Sequence, residues 1–138
     1  MTKNEIFEFI RKNPVFALAT AEGNVPHVRN MMLYRADTNG IIFVTGRDKN
    51  VNKQLTANPG VELCFYNAND GLQVRIEGVV KALPDLELKK QIVEDFSFLK
   101  PWVEKEGYEV LIVYCLKKGR ATPWTMETNF KPKEYIQL

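Results

Sequence analysis

The side chains best suited to chemistry in this 138-residue chain are two lysines, Lys49 and Lys53. Val51 and Leu55 stand four residues apart around them, as the inward face of a helix requires, and Asp48 is the predicted N-cap. Both lysines then lie in the first helical turn. Their mutual repulsion costs about 0.2 to 0.5 kcal/mol, and their opposition to the helix dipole costs about 0.3 to 1 kcal/mol. A phosphate group would relieve both costs, so the pattern indicates a phosphorylated ligand; a solvated lysine face is the alternative.

A second candidate group lies on a predicted strand upstream of these lysines. Arg29 shares one strand face with Met31 and Leu33, and an inward-facing guanidinium needs an anionic partner, which favours a ligand contact over a surface position. Strand alternation places His27 on the same face. We expect His27 either to donate a proton to a bound substrate or to be a partly exposed, hydrogen-bonded histidine.

Composition excludes several other functions. The chain has 19 basic and 17 acidic side chains, a net charge of +2, which is too little for a nucleic-acid footprint. Its longest apolar run, 110–116, is too short to span a membrane, so we expect a cytoplasmic protein with no membrane partner. Cys64 and Cys115 have no CxxC spacing, and His27 is the single histidine, so free thiols are expected and a metal site is not.

The elements that must position these groups are mostly short strands joined by tight turns. An amphipathic helix is predicted between Thr2 and Asn13, a second follows Asp48, and a third covers 84–98. The predicted strands are 15–20, 25–34, 41–45, 61–66, 72–81, 109–116 and 121–126, with a bulge at Gly78 and a turn at Lys118-Gly119. This pattern favours a single domain, 1–138, with a six- to seven-stranded antiparallel β-barrel and peripheral helices.

Four motifs, in order, resemble the FMN-binding split-barrel family of pyridoxamine 5'-phosphate oxidase. They are LATAEGNVPHVR at 18–29, FVTG at 43–46 before the basic helix, NPGVEL at 58–63 and QVRIEG at 73–78. Each motif is loose, but their order and spacing are specific together. The sequence is most similar to the short members of the family, including those like nitroimidazole reductases. The resemblance implies a split barrel that forms a homodimer, with FMN bound in the grooves between subunits.

The resemblance also implies a set of cofactor-binding residues. Arg29 matches the arginine that reaches the FMN phosphate and ribityl chain, and Thr45 matches the threonine at the phosphate end. The candidates are Arg29, Asn30, Met31, Met32, Thr45, Lys49, Asn50, Lys53 and Gln73, with 30–32 beside the flavin ring and Gln73 contributed across the dimer. The family has a phosphate-binding lysine where this sequence has Val51, and the flanking lysines leave open which one replaces it. Trp124 and Met126 are expected in the core or in an interface.

The function implied is flavin-dependent oxidation or reduction of a small organic substrate through the flavin N5, with no catalytic side chain identified. Two alternatives stay open: a flavin-binding or stress-related protein without dedicated catalysis, and a split barrel that binds heme or a deazaflavin. The electron donor is left open, since the sequence has no dinucleotide-binding glycine motif, and the substrate is not predicted.

Overall fold

Seven strands and four α-helices make up the computed structural model, which describes residues 1–138. The helices are α1 (Lys3–Lys12), α2 (Asn50–Ala57), α3 (Leu86–Asp95) and α4 (Lys100–Glu106), and the strands are β1 (Val15–Glu22), β2 (Val25–Asp37), β3 (Gly40–Gly46), β4 (Gly60–Asn67), β5 (Leu72–Ala82), β6 (Leu111–Trp124) and β7 (Ile136–Gln137). The sheet order is β3-β2-β1-β4-β5-β6-β7, and a further pairing of β3 with β6 closes the first six of these strands into a barrel. All pairings are antiparallel, which confirms the predicted split barrel.

The barrel interior is filled by aromatic and aliphatic side chains from alternate positions of each strand. Phe16 lies at its centre, with its ring 4.9 Å from that of Phe65 and 5.7 Å from that of Phe43. The apolar face of α1 packs on the same core through Ile6 and Ile10. Thr2 and Glu5 form a capping box at the start of α1, which begins where the sequence predicts.

A second core lies outside the barrel, beneath α3 and α4. Ile42 on β3 and Val113 on β6 point away from the barrel interior and pack with Leu88 and Ile92 of α3. Because β3 is covered on both faces, its sequence is continuously apolar rather than alternating. Asp85 caps α3 by accepting a hydrogen bond from the amide of Leu88 at 3.1 Å.

The predicted turn at Lys118-Gly119 is wrong, because β6 runs unbroken through it. Gly119 pairs with Gly78, and a Cβ atom on Gly119 would lie 2.8 Å from the carbonyl oxygen of Glu77 and 2.6 Å from the Leu116 side chain. The glycine therefore permits close approach of two strands rather than a chain reversal. The bulge predicted at Gly78 is confirmed by a register shift between Gly78 and Val80.

No helix in the structure is long and apolar enough to cross a membrane. Cys64 and Cys115 are both free thiols, as the sequence predicts. Burial raises the pKa of both groups.

Candidate functional site

Arg29 points inward at one end of the barrel, where α2 packs against β1. Its Nη1 donates to Thr20 Oγ1 at 2.8 Å and to the carbonyl oxygen of Leu18 at 3.3 Å, while Nη2 donates to Gln54 Oε1. Thr20 Oγ1 also donates to Gln54 Oε1 at 2.6 Å. The guanidinium thus has neutral oxygen partners and no carboxylate, and burial lowers its pKa. Arginine remains charged all the same, so this end of the barrel carries an uncompensated positive charge.

Two residues that hold Arg29 in place, Thr20 and Gln54, were missed among the candidates. Both are buried, with 4% and 5% of their surface exposed. A signal for each exists in the sequence: Gln54 lies on the helix stripe defined by Val51 and Leu55, and Thr20 alternates with the inward residue Leu18. A polar residue at a core position needs a hydrogen-bonding partner, which Arg29 supplies.

The start of α2 differs from the prediction. Lys49, not Asp48, is the N-cap residue, and no side chain caps the helix. Asp48 instead interacts with the Arg47 guanidinium at 3.2 Å, which withdraws its carboxylate from the helix end. The first helical bonds run from the amides of Asn52 and Lys53 to the Lys49 carbonyl oxygen, at 3.1 and 3.3 Å. The preceding two amides of the helix therefore have no intrahelical acceptor.

Lys49 and Lys53 are exposed and neither belongs to an ion pair. Lys53 directly precedes Gln54, which binds Arg29, so the helix and the arginine share one end of the barrel. Asn50 is exposed in the first turn of the same helix. Two cationic side chains thus lie on the first turns of an uncapped helix, where the helix dipole favours an anion, and Arg29 contacts the same helix through Gln54.

Arg47, which lies between this helix and β3, is already engaged. Its Nη2 lies 3.2 Å from Asp48 and 3.4 Å from Glu106 on α4, and these carboxylates raise its pKa. Thr45 is buried at the end of β3, opposite Ile112 on β6.

The candidates on β2 divide between the two faces of the strand. Met31 packs on the barrel core from the strand face that also carries Arg29, whereas Asn30 and Met32 are exposed on the outer face. His27 lies on the Arg29 face, opposite Thr20 of β1, and its Nε2 is buried without a hydrogen bond, 4.0 Å from Glu22 Oε1. This histidine is therefore within reach of the end of the barrel occupied by Arg29.

Gln73 is not brought to this cluster within one chain. It lies on the outer face of β5, between Tyr66 on β4 and Trp124 on β6. Trp124 is half-buried and its Nε1 donates to Asn129 Oδ1 at 2.9 Å, while Met126 is exposed and so is no core residue. Two surface clefts, one beside α3 at Arg35 and one over Gly78 and Gly119, contain none of the candidate residues.

A closed antiparallel β-barrel with outer helices defines the split-barrel class. The chain belongs to the pyridoxamine 5'-phosphate oxidase family, whose model matches residues 2–107. It is 38% identical over 108 residues to a pyridoxine/pyridoxamine 5'-phosphate oxidase of Maricaulis maris. The aligned residues make up 76% of this chain and 49% of that relative. The chain thus spans about half the length of this curated relative.

Solved structures support the same assignment. A NimC/NimA family protein from Clostridium acetobutylicum superposes with a TM-score of 0.79 and 27% identity, over 98% of this chain and 92% of that one. An FAD-binding protein from Mesorhizobium loti superposes with a TM-score of 0.66 and 18% identity, over 91% and 96% of the two chains, and so shares the fold. The expected resemblance to the oxidase family, including its nitroimidazole-reductase-like members, is confirmed.

Proposed function

We propose that this protein is an FMN-binding homodimer that oxidises or reduces a small organic substrate. The observation that carries the proposal is the cationic set at one end of the barrel: Arg29 without a carboxylate partner, and Lys49 and Lys53 without ion pairs beside an uncapped helix. Family membership supports a flavin as the ligand, since relatives are named as oxidases of pyridoxamine 5'-phosphate and one structural neighbour is named as FAD-binding.

The residues present fit the phosphate of FMN. A phosphate monoester needs charge-assisted donors on several sides, and the arginine fork, two ammonium groups and free helix amides are donors of that kind. Thr20 and Gln54 orient Arg29 through neutral oxygens, so its positive charge stays available to the ligand. FAD, a larger dinucleotide, is the alternative flavin. Direct identification of the bound molecule distinguishes FAD from FMN.

The bound flavin would accept and return hydride or electrons at its N5, and the protein supplies binding and orientation. The Asn30–Met32 backbone would lie along the ring, and His27 would donate a proton to a bound substrate. Gln73 lies on the outer face, so in this proposal it serves the flavin of the other subunit.

Identification of the small molecule bound to the purified protein tests the proposal. Absorption bands of oxidised flavin, and a released molecule with the mass of FMN, are the expected result. A heme Soret band, a deazaflavin mass, or an FAD mass would each overturn FMN binding. Bleaching of the flavin by NADH or NADPH, followed by reoxidation on adding substrate, would separate an oxidoreductase from a flavin-binding protein without turnover.

A further inference from the structure

Residues 46–49, here the 46–49 loop, join β3 to α2 and are tied to the rest of the chain through their backbone. The amide of Arg47 donates to the carbonyl oxygen of Val110 at 2.8 Å, and the Arg47 carbonyl oxygen accepts from Asn52 Nδ2 at 3.0 Å. Asn52 Oδ1 in turn accepts from the Tyr114 hydroxyl at 2.6 Å. These hydrogen bonds fix the backbone of Arg47, so its side chain leaves the loop from a set position.

Helix α4 packs on the same loop and engages the Arg47 side chain. Trp102 lies so close to Gly46 that a Cβ atom on this glycine would overlap the indole ring. Glu106, the last residue of α4, lies 3.4 Å from Arg47 Nη2, and Asp48 lies 3.2 Å from the same nitrogen. Arg47 therefore bridges the carboxylate of its chain neighbour to α4.

This bridge keeps Asp48 away from the free amides at the start of α2. The amides without an intrahelical acceptor belong to Asn50 and Val51. If α2 began one residue earlier, Asp48 would be its N-cap, and an N-cap carboxylate accepts from the amide of the second or third helical residue. Those residues would be Asn50 and Val51. A phosphate and the Asp48 carboxylate would therefore compete for the same donors.

We propose that Arg47 is a positioning residue for the ligand phosphate: by binding Asp48, it keeps the first amides of α2 open to the anion. Asp48 is then a built-in competitor of the phosphate, and it caps the helix when Arg47 is lost. An exposed ion pair and a helix cap stabilise a protein by similar amounts, so removal of one partner is enough to move the carboxylate. This role of Arg47 rests on the proposed function, since it requires a phosphate at this helix end.

Titrations with FMN and riboflavin test this role, because the ratio of the two affinities reports the phosphate contact. Arg47→Ala should reduce the wild-type ratio about fivefold, the value of one helix cap, and Arg47→Ala with Asp48→Ala should restore it to within about twofold. Arg47→Lys, which keeps the charge, should retain most of the ratio.

The matched control is Arg35→Ala, which should keep the wild-type ratio. The Arg35 and Arg47 side chains are 40% and 41% exposed, and Arg35 also lies near a carboxylate, 3.9 Å from Asp37. Arg35 is on β2, beside the cleft at α3 and away from α2. The control therefore removes a similar guanidinium without releasing Asp48.

Stability of the flavin-free protein gives a second readout, which a direct contact between Arg47 and the phosphate would not change. In the Arg47→Ala background, Asp48→Ala should reduce the folding equilibrium constant about fivefold, because Asp48 has become the cap. In the wild-type background the same change should reduce it about twofold at most. Urea unfolding of the four proteins measures the difference.

The outcomes separate the role of Arg47 from the phosphate site itself. Equal affinities of the wild-type protein for FMN and riboflavin would overturn the phosphate site, and the competition by Asp48 with it. When the wild-type protein prefers FMN, an unchanged ratio for Arg47→Ala, or an equal loss for Arg35→Ala, would overturn only the role of Arg47. So would a double variant no better than Arg47→Ala, or an Asp48→Ala effect on stability that is equal in both backgrounds.

Discussion

At the scale of single residues, the account depends on charges that the protein leaves uncompensated. Arg29 has three oxygen partners, all neutral, and two of them come from the buried side chains Thr20 and Gln54. Burying a guanidinium without a carboxylate costs free energy in the absence of a ligand. Such a site becomes favourable when a phosphate supplies the negative charge, which is the physical reason for the first two predictions.

Arg29→Ala should weaken FMN binding more than His27→Ala does. The first change removes a charge-assisted contact with the phosphate, worth about 1.5 to 3 kcal/mol, or about 10- to 100-fold in affinity. The second removes at most a contact to the substrate. Arg29→Lys should fall between Arg29→Ala and wild type, because it keeps the charge but not the fork that reaches both Thr20 and Gln54. Fluorescence titration measures each affinity, and equal values for Arg29→Ala and wild type would remove Arg29 from the phosphate site.

Replacing Lys49 and Lys53 together by glutamine should reduce the preference for FMN over riboflavin by about a hundredfold. Two phosphate contacts at about 1.5 kcal/mol each give this factor, and one replacement gives about tenfold. The flavin-free variant should be at least as stable as wild type, since repulsion between the lysines is removed.

The matched control for the lysine pair is Lys117→Gln with Lys118→Gln, two exposed lysines on β6. This control should keep the wild-type ratio of affinities. Titrations of the wild-type protein should show that its preference for FMN over riboflavin decreases from low to moderate salt. The reason is that salt at 0.1 M screens exposed charges over about 10 Å. An unchanged ratio in the Lys49, Lys53 variant would mean that the lysines are a solvated face.

At the scale of elements, the position of α2 shows how local competition decides a helix end. Asp48 has the side chain of a good N-cap, yet its carboxylate lies beside Arg47, and Lys49 begins the helix without a side-chain cap. Asp85, in contrast, caps α3 through the amide of Leu88. Of these two helices, the uncapped α2 lies at the proposed phosphate site and the capped α3 lies over the second core.

Asp85→Ala should therefore lower the free energy of unfolding by about 1 kcal/mol, the usual value of an N-cap. Asp48→Ala is the matched control and should change it by less than about 0.5 kcal/mol, because an exposed ion pair contributes little. Urea unfolding of both variants measures the difference. An equal loss in the two would contradict the assignment of the cap to Asp85 alone.

Much of the fold follows from sequence because the strands of the barrel alternate and end at turn residues. β1, β2, β4 and β5 lie within a few residues of the predicted strands, and β3 lies where an apolar run is bounded by turn residues. Two features were not predicted. The course of β6 through Gly119 was missed because glycine is typical of turns, whereas here it permits a close contact between strands. Helix α4 was missed because it begins with Lys100-Pro101 and has no buried residue to give it a periodic apolar stripe.

The binding role of the candidate residues stays a prediction. Arg29 contacts α2, the helix that carries both lysines, through Gln54. Gln54 and Thr20 were missed because a polar residue on an apolar stripe reveals its partner only when the tertiary contact is known. The placement of Gln73 on the far face depends on strand order, which no local pattern contains.

At the scale of the whole molecule, one chain presents the pieces of the proposed site on two different faces. The cations lie at the end of the barrel, and Gln73 and Trp124 lie on the outer face beyond β1 and β4. In the proposed homodimer, the second chain would supply Gln73 to each flavin. Interfaces of obligate dimers bury on the order of 2,000 Å² or more in total, so we expect little dissociation at micromolar concentration.

Native mass spectrometry of the purified protein after incubation with FMN tests the central claim most directly, because it reports chain number and ligand number in one measurement. The account predicts two chains carrying two FMN molecules. At the same ligand concentration, the Arg29→Ala variant should remain a dimer but carry no FMN. A monomer that retains one FMN would contradict the shared site, and a dimer that binds no FMN would contradict the proposed function.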